Sequence, residues 1–175
     1  MVNATRPGER LHDVLQAAFG WTDHHLHRFG LFKQWGDYFT RPAIELVMNM
    51  DEEWERTGDE IVLPIEGVKL SDHLPEYTKV LYTYDFGDEW RHYIEVDAVV
   101  DDCEEVLPVL LSGQGDAPPE DVGGATGWTE FLEIMADPAH PDHQWTTAWA
   151  KEQWWQPFDF DRTARRIAAM AWAVE

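Results

Sequence analysis

His25 and His27 stand two residues apart, Asp85 precedes Gly87-Asp88, and Trp90 and His92 follow that pair. Imidazole and carboxylate are ligand types shared by zinc, iron and manganese sites. His25, His27, Asp85 and His92 are therefore candidate ligands for a divalent transition metal that activates water for hydrolysis of an ester or phosphodiester. The same residues have a plainer use, because an Asp–His diagonal in a sheet is equally a buried hydrogen-bonded pair that orients the ring. His12 and His24 lie near the first pair, and His140 and His143 fall in a later HPDH string. A second acidic set comprises Asp85, Asp88, Glu120 and Asp121. Turns at Gly87 and at Gly123-Gly124 could gather these carboxylates, which makes Glu120 or Asp121 a candidate general base. Alternatively, Asp88 is simply a turn residue and Asp121 accepts backbone amides of its own loop. Glycine lets backbone approach a ligand, so the loop Pro119-Glu120-Asp121-Val122-Gly123-Gly124 is a candidate pocket rim.

Covalent catalysis finds no support. Ser71 and Ser112 lack a strand-to-helix elbow, and Cys103, the single cysteine, sits among acids that disfavour a thiolate. One cysteine also excludes an intramolecular disulfide and fits a cytoplasmic protein. Ten tryptophans offer a third constellation, with Trp21, Trp35, Trp90 and Trp128 spread along the chain and Trp145, Trp149, Trp154 and Trp155 clustered. Most are expected in the core, and some could line a groove for a peptide or small apolar ligand.

The 175 residues suit one domain, 1–175, and 44% hydrophobic residues give it a core to bury. Thirteen Lys and Arg against 34 Asp and Glu leave a net charge of −21, which disfavours broad nucleic-acid binding. Arg162, Arg165 and Arg166 make too small a basic patch to reverse that, and read as a solvated face or as partners for acids. No apolar run is long enough for a bilayer.

To position these groups, the spacing predicts a helix over 9–19, with Leu11, Val14, Leu15, Ala18 and Phe19 on one side and Gly20 as its C-cap. Strands are expected at 24–32 and 43–50, while the acidic stretches 51–60 and 101–105 read as exposed connections. Segment 61–64 is too short to assign, and Ser71 could cap one helical turn within 68–74. Segments 79–86 and 89–99 read as a hairpin closed by a two-residue turn at Gly87-Asp88. That turn would pair Asp85 with Trp90, Thr83 with His92 and Leu81 with Ile94, making Asp85 and His92 diagonal neighbours. Residues 112–126 read as irregular; helices follow over Trp128–Met135, in part of 145–155, and in a last segment capped by Asp161. The class is α+β, a mostly antiparallel sheet with a central DFGD hairpin packed against several helices.

The strings LHDVLQAAFGWTDHHLHRF, YTYDFGDEWRHYIEV, PPEDVGGATGW and FDFDRTARRI, in this order, resemble the plasmid pRiA4b ORF-3-like family, also labelled an insertion-element passenger of "TnpR" type. The resemblance runs from about residue 11 to 170. It implies a compact α+β domain, found in some cases beside plasmids or mobile elements, and no established activity. A resolvase would need a nucleophilic serine amid arginines and a basic module, and neither is present. Family members usually carry an extended segment before the first helix, whereas about ten residues precede Leu11 here. A missing strand would leave an edge open to a second copy. The resulting expectation is a binding or interaction module for an unknown protein or small-molecule ligand, with a metal-dependent hydrolase as the alternative.

Overall fold

The computed structural model describes residues 9–36, 40–48, 61–100 and 107–170. The acidic stretches 51–60 and 101–105, Cys103, and Ala171 and Val174 of the expected last helix lie outside these residues. Four helices and five strands occur among the described residues, in the order α1 (Glu9–Phe19), β1 (His27–Phe32), β2 (Ile44–Val47), β3 (Ile61–Pro64), β4 (Lys79–Tyr84), β5 (Trp90–Glu95), α2 (Gly124–Ala136), α3 (His143–Glu152) and α4 (Phe160–Ala168). The class is α+β. Two compact units divide the chain, with residues 25–105 and the stretch ending at His12 in a sheet unit, and residues 13–24 and 106–175 in a helical unit.

The sheet has strand order β3-β2-β1-β4-β5. Its pairings are antiparallel except β2 with β3. One face collects His27, Phe29 and Leu31 of β1, Val80, Tyr82 and Tyr84 of β4, and Ile44 and Leu46 of β2 through the register Phe29↔Leu46, Phe29↔Tyr82 and His27↔Tyr84. All eight are at most 5% exposed. Fully burying a side chain of this size is worth about 1.5–3 kcal/mol, so this face is what holds the sheet unit together. The segment 61–64, unassignable by length, forms because β2 offers it a parallel ladder from Ile44↔Ile61 to Val47↔Pro64.

The hairpin between β4 and β5 lies at one edge of the sheet rather than at its centre, and its register differs by one residue from the expected one. Tyr84 pairs with Trp90, Tyr82 with His92 and Val80 with Ile94. The cause is Asp85, whose Oδ1 accepts the amides of Gly87 at 2.9 Å and Asp88 at 3.3 Å. Asp85 and Glu89 both take positive φ, 55° and 57°, and the Glu89 amide donates to the Asp85 carbonyl. The carboxylate thus builds a wider loop than a two-residue turn, and the shift moves His92 and Trp90 onto the tyrosine face. Around Ser71 the turn Leu70–Asp72 is capped by no side chain.

In the helical unit α1 ends as expected, its last turn closed by Gly20 at φ 81° donating to the Gln16 carbonyl. α2 starts four residues earlier than Trp128, because Gly124 supplies φ 66° at the entry and Gly127 lets the Val122 carbonyl come close. A Cβ at Gly127 would sit 1.8 Å from that oxygen. α4 is capped by Asp159, not Asp161, with Asp159 Oδ1 accepting the Arg162 amide at 2.7 Å. Phe131 of α2 packs edge-on to Trp155 at 4.9 Å and to Trp149 at 6.1 Å, a core that takes two of the four clustered tryptophans, while Trp145 and Trp154 are exposed.

Candidate functional site

Two places in the molecule gather chemistry-bearing groups. In the sheet unit, the His12 ring stacks on His27 at 3.6 Å with planes 8° apart. His12 Nδ1 is hydrogen-bonded to the Tyr82 hydroxyl at 2.8 Å. His92 lies 5.6 Å from the Tyr82 ring. Burial disfavours the imidazolium of His92 and lowers its pKa, against smaller opposing contributions from the backbone at Trp90 and Tyr82. His25 Nε2 lies 3.7 Å from Asp85 Oδ2, and Asp85 is 7% exposed. Of the four candidate ligands, His25 and Asp85 therefore meet. No three of His25, His27, Asp85 and His92 place ligand atoms within 4.8 Å of one another. The expected diagonal of Asp85 and His92 is replaced by the Tyr82↔His92 pair. His27 faces the aromatic core, because it stands two residues before Phe29 on the same strand face.

In the helical unit, the Gly- and Pro-rich loop is held by two indoles. Trp155 Nε1 donates to the Ala117 carbonyl at 2.8 Å and Trp21 Nε1 to the Pro118 carbonyl at 2.9 Å. Glu120 is 6% exposed, and its Oε1 accepts the Thr22 amide at 2.9 Å. A candidate base is thus a clamp between the loop and the end of α1. Asp121 is exposed and at φ 57°. Pro119 is buried. Gly123, at φ 92°, precedes α2 as its N-cap. Gly87 and Asp88 donate their amides to Asp85.

Behind this loop lies a cavity of about 620 Å³, within the size range of small-molecule pockets. Pro118, Trp154 and Phe158 line it together with Arg162 and Arg166 of α4. Trp154 is 86% exposed and holds φ 57°, a left-handed backbone that costs a non-glycine residue on the order of 1–3 kcal/mol. The Trp154 amide donates to the Lys151 carbonyl, so the strain belongs to the stop of α3. Gly113 stands where a Cβ would meet the Phe158 ring at 2.8 Å, which draws the loop onto the aromatic wall. Pro119 and Glu120 of the expected pocket-rim loop line this cavity, whereas Asp121, Gly123 and Gly124 do not, and Arg162, Arg166 and Trp154 were not read as part of it. The two arginines were expected to face solvent or pair with acids. Burial and then the neighbouring Arg162 charge lower the pKa of Arg166. A sequence signal existed in the lone basic cluster of a strongly acidic chain, yet its direction depends on how α4 is docked.

Comparison with known proteins agrees with the sequence motifs. A 172-residue alignment at 38% identity relates the chain to y4hQ, an uncharacterised protein of Sinorhizobium fredii, over 95% of this chain and 76% of that one. The crystal structure of MM3350, a protein of unknown function from Methanosarcina mazei, superposes with a TM-score of 0.70 at 29% identity, over 91% of this chain and 84% of that one. The family model described as plasmid pRiA4b ORF-3-like protein matches residues 2–164. The chain belongs to the plasmid pRiA4b ORF-3-like family.

Proposed function

We propose that this chain is a binding module for a small-molecule ligand, and that its site is the cavity of the helical unit. The observation that carries this reading is Trp154, an indole exposed to 86% at the cavity wall. Large exposed aromatics beside a concave, partly apolar wall are the surface a ligand desolvates most favourably. The test is a fragment screen on the ¹⁵N-labelled protein, with the amides of Gly113, Gly115 and Trp154 as reporters. Fragments that shift these amides in the parent and fail to do so in Trp154→Gly support the reading. A screen that leaves them unmoved rejects it.

A metal-dependent hydrolase is the second reading, favoured by the pairing of His25 with Asp85 at 3.7 Å. It ranks lower because Asp85 already serves its own loop amides. Elemental analysis of untagged protein separates the two. A stoichiometric transition metal lost in Asp85→Asn would promote the hydrolase, and metal-free protein after reconstitution with zinc, manganese or iron would remove it. Self-association through a sheet edge, if it occurs, would use β5, since β3 has four residues and ends in Pro64. Sedimentation velocity reads the oligomeric state directly.

A further inference from the structure

Arg162 and Arg166 stand one helical turn apart on α4 and both line the cavity. In a chain with 34 acids and 13 bases, an arginine normally finds a carboxylate. Neither of these has an ion-pair partner among the described residues. Arg166 Nη2 donates to the Ala18 carbonyl and to the Thr163 hydroxyl, both at 3.3 Å, and Arg162 donates to the Pro157 carbonyl. The backbone carbonyl at the end of α1 offers Arg166 a weak negative pole, not a full counter-charge. Two guanidiniums of like sign therefore share one wall, and each keeps unused donors in its planar fork.

The acids that line the same cavity are accounted for differently. Asp116 accepts the Phe158 amide at 2.6 Å and Glu120 the Thr22 amide. Glu152 is exposed at the end of α3. Three carboxylates around the wall repel a polyanion such as a di- or triphosphate more strongly than a single carboxylate, whose one charge a guanidinium fork can match. Trp154, Phe158 and Pro118 supply the aromatic and apolar part of the wall, beside neutral polar side chains such as Gln153 and Gln156 and the imidazole of His24. Resting on the cavity reading above, we infer that the ligand is a small monocarboxylate with a planar apolar body. Arg162 and Arg166 hold its carboxylate, and Trp154 stacks on its body.

The test compares 2-naphthoate with its neutral isostere 2-naphthamide, by calorimetry and by the cavity amide shifts, in the parent protein, Arg162→Gln, Arg166→Gln and Trp154→Gly. Thermal melts establish that each variant is folded. The carboxylate should bind about tenfold more tightly than the amide, the gap expected when a charge-assisted hydrogen bond is lost. Arg162→Gln or Arg166→Gln should remove that gap while leaving amide binding in place, and Trp154→Gly should weaken both probes. Because Arg166 also touches the end of α1, Arg162→Gln is the variant that keeps the outcome clear if Arg166→Gln fails to fold. Equal binding of the two probes at the cavity overturns the monocarboxylate assignment and leaves the cavity reading standing. Absence of cavity shifts with either probe, together with an empty fragment screen, overturns both.

Discussion

Asp85 turns its carboxylate onto two amides of its own loop, and this local choice governs everything built around the DFGD string. A short polar side chain at a left-handed position does what a longer turn sequence would otherwise do. Glu120 does the same work at longer range, reaching the Thr22 amide. His92 carries a different consequence. Its folded pKa lies below the ordinary histidine value because burial opposes its charge. Between the two values the unfolded chain binds more protons than the folded one, so the stability tied to neutral His92 is present above about pH 6.5 and is lost as the pH falls below it. Thermal melts from pH 7.5 to 5 should therefore show a smaller acid-induced drop in Tm for His92→Gln than for the parent. An equal or larger drop in the variant would show that His92 does not carry this dependence.

At the level of elements, the amphipathic helix of residues 9–19 was legible in full, since its apolar spacing and its Gly20 cap are both local signals. Strand β3 was not, because four residues of moderate hydrophobicity become a strand only when β2 pairs with them. The hairpin was legible as two strands and misread by one residue in register, because whether Asp85 folds back on the loop is a side-chain event that strand patterning does not encode. Residues 112–123 were legible as irregular backbone and 124–126 were not legible as the start of α2, while the indoles that anchor Ala117 and Pro118 come from Trp155 and Trp21, far away in sequence. The entry of α2 yields a sharp expectation. Gly127→Ala forces a Cβ to 1.8 Å from the Val122 carbonyl and should cost roughly 2–4 kcal/mol in chemical denaturation. Thr126→Ala, at the exposed neighbouring position, should stay within about 0.5 kcal/mol. Similar midpoints for the two variants would mean that the loop yields without cost.

For the whole molecule, charge is the property that acts across every element. With a net −21, the folded chain repels itself, and salt screens that repulsion within a Debye length of about 10 Å at 0.1 M. Tm should rise by several degrees between roughly 20 and 500 mM NaCl. A flat or falling curve would show that specific ion pairs such as Arg28–Glu45, at 3.2 Å, outweigh the general repulsion. No helix among the described residues is long and apolar enough to cross a membrane. Composition, charge, family motifs and the amphipathic first helix were settled by the sequence alone, because each depends on residues adjacent in the chain or summed over it. Which histidines meet, which carboxylates are occupied by backbone amides, and which arginines face a cavity were decided only by tertiary structure. Those facts depend on a loop one residue wider than expected and on contacts between segments about a hundred residues apart, such as Trp21 with Pro118.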